Sequence, residues 1–174
     1  MSEIFGGPIR NDLASLDAPI DECVLATDVI DHWGAAFIFS VDTLGEWFAE
    51  CVRGQRQQDG HWNDLGAGGT RGSGWSIPWS PPTIGWEGDP LLILLSGGQS
   101  VDTASAPNQD LRATVGFADP SVVGIRVMQG DQRREIEIQS QVGAFVVLSL
   151  GVGSIDLQAL SSSGAPIGSG HQIA

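Results

Sequence analysis

The chain has 174 residues with neither Lys nor Tyr, and its acids outnumber its bases 21 to 8, a formal charge of -13. The length points to one domain, since domains most often hold about 100–150 residues, and 41% hydrophobic residues are enough for a core without metal or disulfide staples. The charge excludes binders of nucleic acid and of anionic membranes, which need basic groups, and the missing Lys excludes a Walker phosphate loop and Schiff-base chemistry.

The acidity is uneven. Residues 1–50 hold ten acids and one Arg, a net of -9, whereas residues 121–174 hold four acids and three Arg, a net of -1. No stretch approaches the ~20 apolar residues of a membrane-spanning helix. The first seven residues show neither a basic nor an apolar segment of a signal peptide, so a cytoplasmic location is expected. Cys23 and Cys51 belong to no CxxC pair; they are expected to be reduced thiols rather than metal ligands.

Residues 1–16 are expected to form a loose arm. Residues 17–66 form the acidic part. Within it, Asp17-Ala-Pro19 opens a predicted short helix, with Asp21 and Glu22 in its first turn and Ile20, Cys23, Val24, Thr27 and Ile30 on one face. The same segment also fits a strand from Cys23 to Ile30. Residues 33–41, rich in Phe and Ile, read as a strand. Asp42-Thr-Leu-Gly45 turns that strand into a second, which places Trp47, Ala49 and Cys51 on one face. A helix competes over residues 43–53, because Thr43 and Glu46 make a capping box and Leu44, Trp47, Phe48, Cys51 and Val52 have helical spacing. Gly45 and the flanking turn signals favour the strand. Asp59-Gly60 reads as another hairpin turn. Residues 67–90, rich in Gly, Pro and Trp, are expected to form a long loop.

Residues 91–174 are expected to be the core of the fold. Residues 111–117, 122–128, 132–139, 144–150 and 154–160 read as strands separated by turns, followed by a short run at 165–167. In residues 132–139, Ile136 and Ile138 alternate with Arg133, Glu135 and Glu137, the pattern of a half-buried strand. Residues 144–150 are apolar on both faces and read as a central strand. The predicted class is all-β, an antiparallel β-sandwich with one short N-terminal helix, in a single composite domain of residues 1–174.

The strand-turn rhythm of residues 111–168, together with Leu157-Gln-Ala-Leu-Ser-Ser-Ser-Gly164 as penultimate strand and turn, resembles the immunoglobulin-like and fibronectin-III-like sandwiches of bacteria. The Cys–Trp–Cys pattern of antibody domains is absent. The resemblance implies a binding scaffold and no chemistry.

Two groups of residues are candidates for binding. Trp75, Pro78, Trp79, Pro81 and Trp86 crowd one segment; Pro78 and Pro81 make a PxxP, and the rings suit a sugar or proline platform as well as internal packing. The second group is an acidic surface of Asp21, Glu22, Asp28, Asp31, Glu46 and Glu50. On helices, Asp28, Asp31, His32, Glu46 and Glu50 would imitate a metal site; a solvated acidic face is the plainer reading. The run Gly66-Ala-Gly68-Gly69 lacks the spacing and the Lys of a phosphate loop, and Asp59-x-His61 lacks the bidentate Glu of a calcium loop. No Gly-x-Ser-x-Gly occurs. The expectation is therefore a non-enzymatic interaction protein without cofactor or metal, in the manner of an acidic inhibitor or immunity-type partner of a basic protein. A carbohydrate-binding module on the Trp platform and a hydrolase with an unrecognised site are the alternatives.

Overall fold

The computed structural model describes residues 4–5, 20–73, 89–103, 106–138 and 142–174. Among them are eleven strands, and Ile4 and Phe5 have helical backbone. Strands β1 (Ile20–Ile30), β2 (Trp33–Val41), β3 (Trp47–Arg56) and β4 (Trp62–Gly72) form one antiparallel sheet in chain order. Strands β5 (Leu91–Val101), β6 (Gln109–Ala118) and β9 (Ala144–Gly151) form a second, with β6 in its centre. Strands β7 (Gly124–Gln129), β8 (Gln132–Glu137), β10 (Ile155–Leu160) and β11 (Pro166–Ile173) form a third, in the order β11-β10-β7-β8.

The second sheet is covered on both faces, because its side chains alternate between two cores. Along β9, Ala144, Val146 and Leu148 enter a core shared with Phe37 and Phe39 of β2 and Phe117 of β6. The intervening Phe145 and Val147 enter another, shared with Ile125 of β7 and Leu157 of β10. A strand of period two with apolar residues at every position is stable only when both faces are covered. The two-sided burial expected for residues 144–150 is met in this way, but β9 stands at the edge of its sheet and not in the centre that the apolar run suggested. In the first core the rings of Phe37, Phe39 and Phe117 meet edge to face at 5.4–6.1 Å, a preferred aromatic geometry.

The turns follow from their residues. At the β2–β3 turn the Asp42 carboxylate accepts the N–H groups of Leu44 and Glu46 at 2.8 and 2.9 Å, and Gly45 takes φ 74°. Asp31, in the two-residue turn between β1 and β2, takes φ 55°, a region that Asp tolerates better than most residues.

Two expectations are corrected. The predicted helix after Asp17 is β1 over its described part. Ile20 to Ile30 pairs along β2, with register shifts between Ile20 and Cys23 and between Val24 and Ala26. Those shifts break the alternation of a strand and leave a spacing that mimics a helix. The Gly-rich run expected to begin a loop at residue 67 is strand as far as Gly72, paired with β3 from Trp47↔Gly72 to Arg56↔Trp62. Its glycines are covered from the neighbouring strand: Cβ atoms built on Gly69 and Gly72 would fall 2.8 Å from the Phe48 ring and 2.6 Å from the Trp47 ring. Such cover from a neighbouring aromatic offsets the weak strand preference of glycine.

A Cβ on Gly116, in the centre of the second sheet, would overlap the Leu92 carbonyl oxygen and lie 2.9 Å from Phe145 Cζ, whereas one on Gly97 meets nothing. Gly116→Ala is therefore expected to lower the urea-unfolding free energy by about 1–3 kcal/mol, the range for overpacking, and Gly97→Ala to leave it nearly unchanged. Equal tolerance of the two substitutions would contradict the packing of the middle sheet.

Candidate functional site

The described acidic residues of the N-terminal part are divided among four places. Glu22 of β1 and Glu46, the residue before β3, come together with Asp42 around an open depression of about 640 Å³ at the β2–β3 turn. Arg71 at the end of β4 is the one cation lining it among the described residues. Beside these carboxylates stand two apolar side chains open to solvent, Leu44 at 81% exposure and Phe48 at 39%. Phe48 projects there because it shares the outer face of β3 with Glu50, while Ala49 and Cys51 fill the inner face. The partitioning of Trp47, Ala49 and Cys51 is the one read from the sequence. Glu50 lies half-buried opposite Ile38 and Gly69 and does not line the depression.

Asp28 is an internal residue, a correction to its expected place on an acidic surface. Its side chain is 11% exposed and receives both terminal nitrogens of Arg134 from β8, one of them at 3.0 Å. It also accepts the Leu148 N–H of β9 at 2.7 Å, and the same guanidinium donates to the Leu148 carbonyl oxygen. The carboxylate faces this way because Asp28 pairs with Ala35, on the inner side of the first sheet. Asp31 lies in the next turn, at a separate cleft where the sheets meet. The helical faces that would have gathered Asp28, Asp31, His32, Glu46 and Glu50 as metal ligands are absent, and among the described residues no three His, Cys, Asp or Glu side chains are grouped for a metal.

Trp75, Pro78, Trp79, Pro81 and Trp86 lie outside the described residues, as does the side chain of Asp21. Of the expected loose arm only residues 4–5 are described; Phe5 stacks on Trp62 of β4 with ring centroids 4.3 Å apart. Asp42, Leu44, Phe48 and Arg71 were not singled out as binding residues from the sequence. Asp42 carries the one signal that could have found them, as an Asp opening a turn between two aromatic-rich runs.

Other charged groups form ion pairs near the surface. Glu135 is held below the usual carboxylate range by hydrogen bonds from Arg133 and Arg126, the charged strand face expected for residues 132–139. His171 of β11 pairs with Asp89, which precedes β5 and also accepts the Leu91 N–H at 3.1 Å. Cys51 is a free thiol. Cys51 lies in the first core, where burial pushes its thiol up to about 12, so it is a packing residue and no nucleophile at neutral pH. Cys23 donates to the Phe39 carbonyl oxygen at 3.5 Å. No helix among the described residues is long and apolar enough to cross a membrane.

No protein-family model, no curated protein and no solved structure matches this chain.

The buried thiol sets a measurable pH dependence. The folded chain holds the Cys51 proton up to about pH 12, while the unfolded chain releases it from an ordinary value of 9.0. Below pH 9 the two states bind the same number of protons there. Between about pH 9 and pH 12 the unfolded state binds fewer, so stability falls as pH rises. Wild type is expected to lose more stability across that window than Cys51→Ala, measured by urea unfolding; identical pH slopes would contradict the burial of the thiol.

Proposed function

We propose that this chain is a non-enzymatic interaction protein that engages a basic partner surface through the β2–β3 end of its first sheet. The observation that carries this reading is the gathering of Glu22, Asp42 and Glu46 around a depression beside exposed Leu44 and Phe48. Carboxylates on a rim steer an oppositely charged partner and set its orientation, while apolar side chains within the rim supply contact area that water leaves on binding. The net charge of -13 adds long-range attraction for such a partner. On this reading the chain works as an acidic inhibitor or immunity-type protein does, covering a cationic site. The strands of residues 111–168, likened above to immunoglobulin-like and fibronectin-III-like sandwiches, then serve as scaffold.

An oligo-arginine peptide titrated against the protein by fluorescence anisotropy tests the reading. Binding is expected to weaken steeply as ionic strength rises from about 0.01 M to about 0.15 M, which shortens the screening length from about 30 Å to about 8 Å. Glu22→Gln/Glu46→Gln is expected to weaken it several-fold more than Asp131→Asn/Glu137→Gln, which removes the same charge from the third sheet. Equal effects of the two pairs, or binding insensitive to salt, would contradict the assignment of this end as the interface.

A further inference from the structure

A second concavity, of about 330 Å³, lies at the opposite end of β2, where the three sheets meet. Its walls are set by strand parity. Val127 pairs with Arg134 and Gln129 with Gln132 across the β7–β8 hairpin, so all four project from the ladder face that carries Ile125 into the second core. Ser149 lies on the face of β9 that carries Phe145 and Val147 into the same core. Along both strands the sequence therefore turns from apolar to polar while the backbone keeps its period. Ile125 and Val127 are followed by Gln129, and Phe145 and Val147 by Ser149. Apolar side chains at these positions would have closed the core; the residues present leave it open to a polar cleft. Ser149 is 4% exposed and lines the cleft together with Gln129 and Gln132.

The chemistry of the lining selects the ligand by elimination. An anion would need an uncommitted cation. Arg134 is held by Asp28 and the Leu148 carbonyl oxygen, and Arg133 is paired with Glu135 at 2.8 Å, on a chain that carries -13. A cation would need several carboxylates, and Asp31 is the single acid lining the cleft. A purely apolar ligand would strand the amides of Gln109, Gln129 and Gln132 in a dry interface. What remains is a neutral molecule with donors and acceptors around its rim and C–H groups on its face. The amides and the Ser149 hydroxyl match the first, and Ile30, Val127 and Leu150 match the second. We propose that this cleft binds a neutral saccharide. Its volume stands at the low end of the about 300–1,000 Å³ typical of small-ligand sites, which suits a mono- or disaccharide better than a longer chain. The site is separate from the acidic end and does not depend on it.

The test is an NMR titration of the full ¹⁵N-labelled chain with glucose, N-acetylglucosamine, maltose and cellobiose, with acetate and phosphate as anionic probes. Saturable shifts of the Gln129 and Gln132 side-chain amides are expected with at least one sugar and with neither anion. Ser149→Ala and Gln129→Leu are expected to weaken that binding tenfold or more while leaving the unfolding midpoint unchanged or higher, because each removes a polar group from the end of an apolar core. No saturable shift with any of the four sugars would overturn the proposal. So would saturation by an anion instead, or variants that lose stability and keep the sugar response.

Discussion

The Asp28 carboxylate stands where the three sheets meet. It belongs to β1 of the first sheet, accepts a backbone N–H from β9 of the second, and is clasped by Arg134 from β8 of the third. β9 is hydrogen-bonded in its sheet to β6, and β1 lies alongside it without a ladder. The Leu148 N–H and carbonyl would otherwise be unpaired in the interior, at the full cost of desolvation. Apolar burial in the two cores supplies the driving force for folding. It is non-directional, however, and does not by itself fix how one sheet sits against another. A two-pronged contact between a planar guanidinium and a carboxylate has a defined geometry. Its role is to set the relative position of the sheets more than to add net stability, because removing two charges from water offsets much of their attraction.

With that junction in place, the ends of the strands become the places available for function. The Val41 end of β2 leads into the turn that gathers Glu22, Asp42 and Glu46. Its Trp33 end leads to Asp31 and the cleft between the sheets. Of the ten acids of residues 1–50, Asp28 orders the fold, Asp31 stands beside the polar cleft, and Glu22, Asp42 and Glu46 form a charged rim. A single net charge conceals three different uses.

Much of the fold was legible in the sequence. β2 and the strands from β6 to β10 follow the expected runs, since period-two alternation and Gly-bearing turns are local signals. The continuous apolar run of β9 pointed to burial on both faces, and the two cores account for it. What was not legible depends on neighbours. β1 was predicted as a helix because its bulges scramble the alternation. β4 was expected to be partly loop because Gly66 to Gly72 has no apolar pattern, and its order comes from the pairing with β3 and from the rings of Trp47 and Phe48. Asp28 was grouped with the surface acids because its partner, Arg134, is 106 residues away. The rim was found in part, through Glu22 and Glu46; the cleft was not, because Gln129 and Ser149 gain meaning only where they interrupt two cores that come together in space.

The most direct test of the central role of Asp28 is a double-mutant cycle of Asp28→Ala and Arg134→Ala, with each variant unfolded in urea. Each single substitution is expected to cost about 3 kcal/mol, because it leaves a charge or a backbone group of the junction unpaired in a low-dielectric interior. The double variant is expected to cost well below the sum, with a coupling of about 2 kcal/mol or more. Single costs within about 0.5 kcal/mol that add without coupling, the behaviour of an ordinary surface pair, would contradict the account.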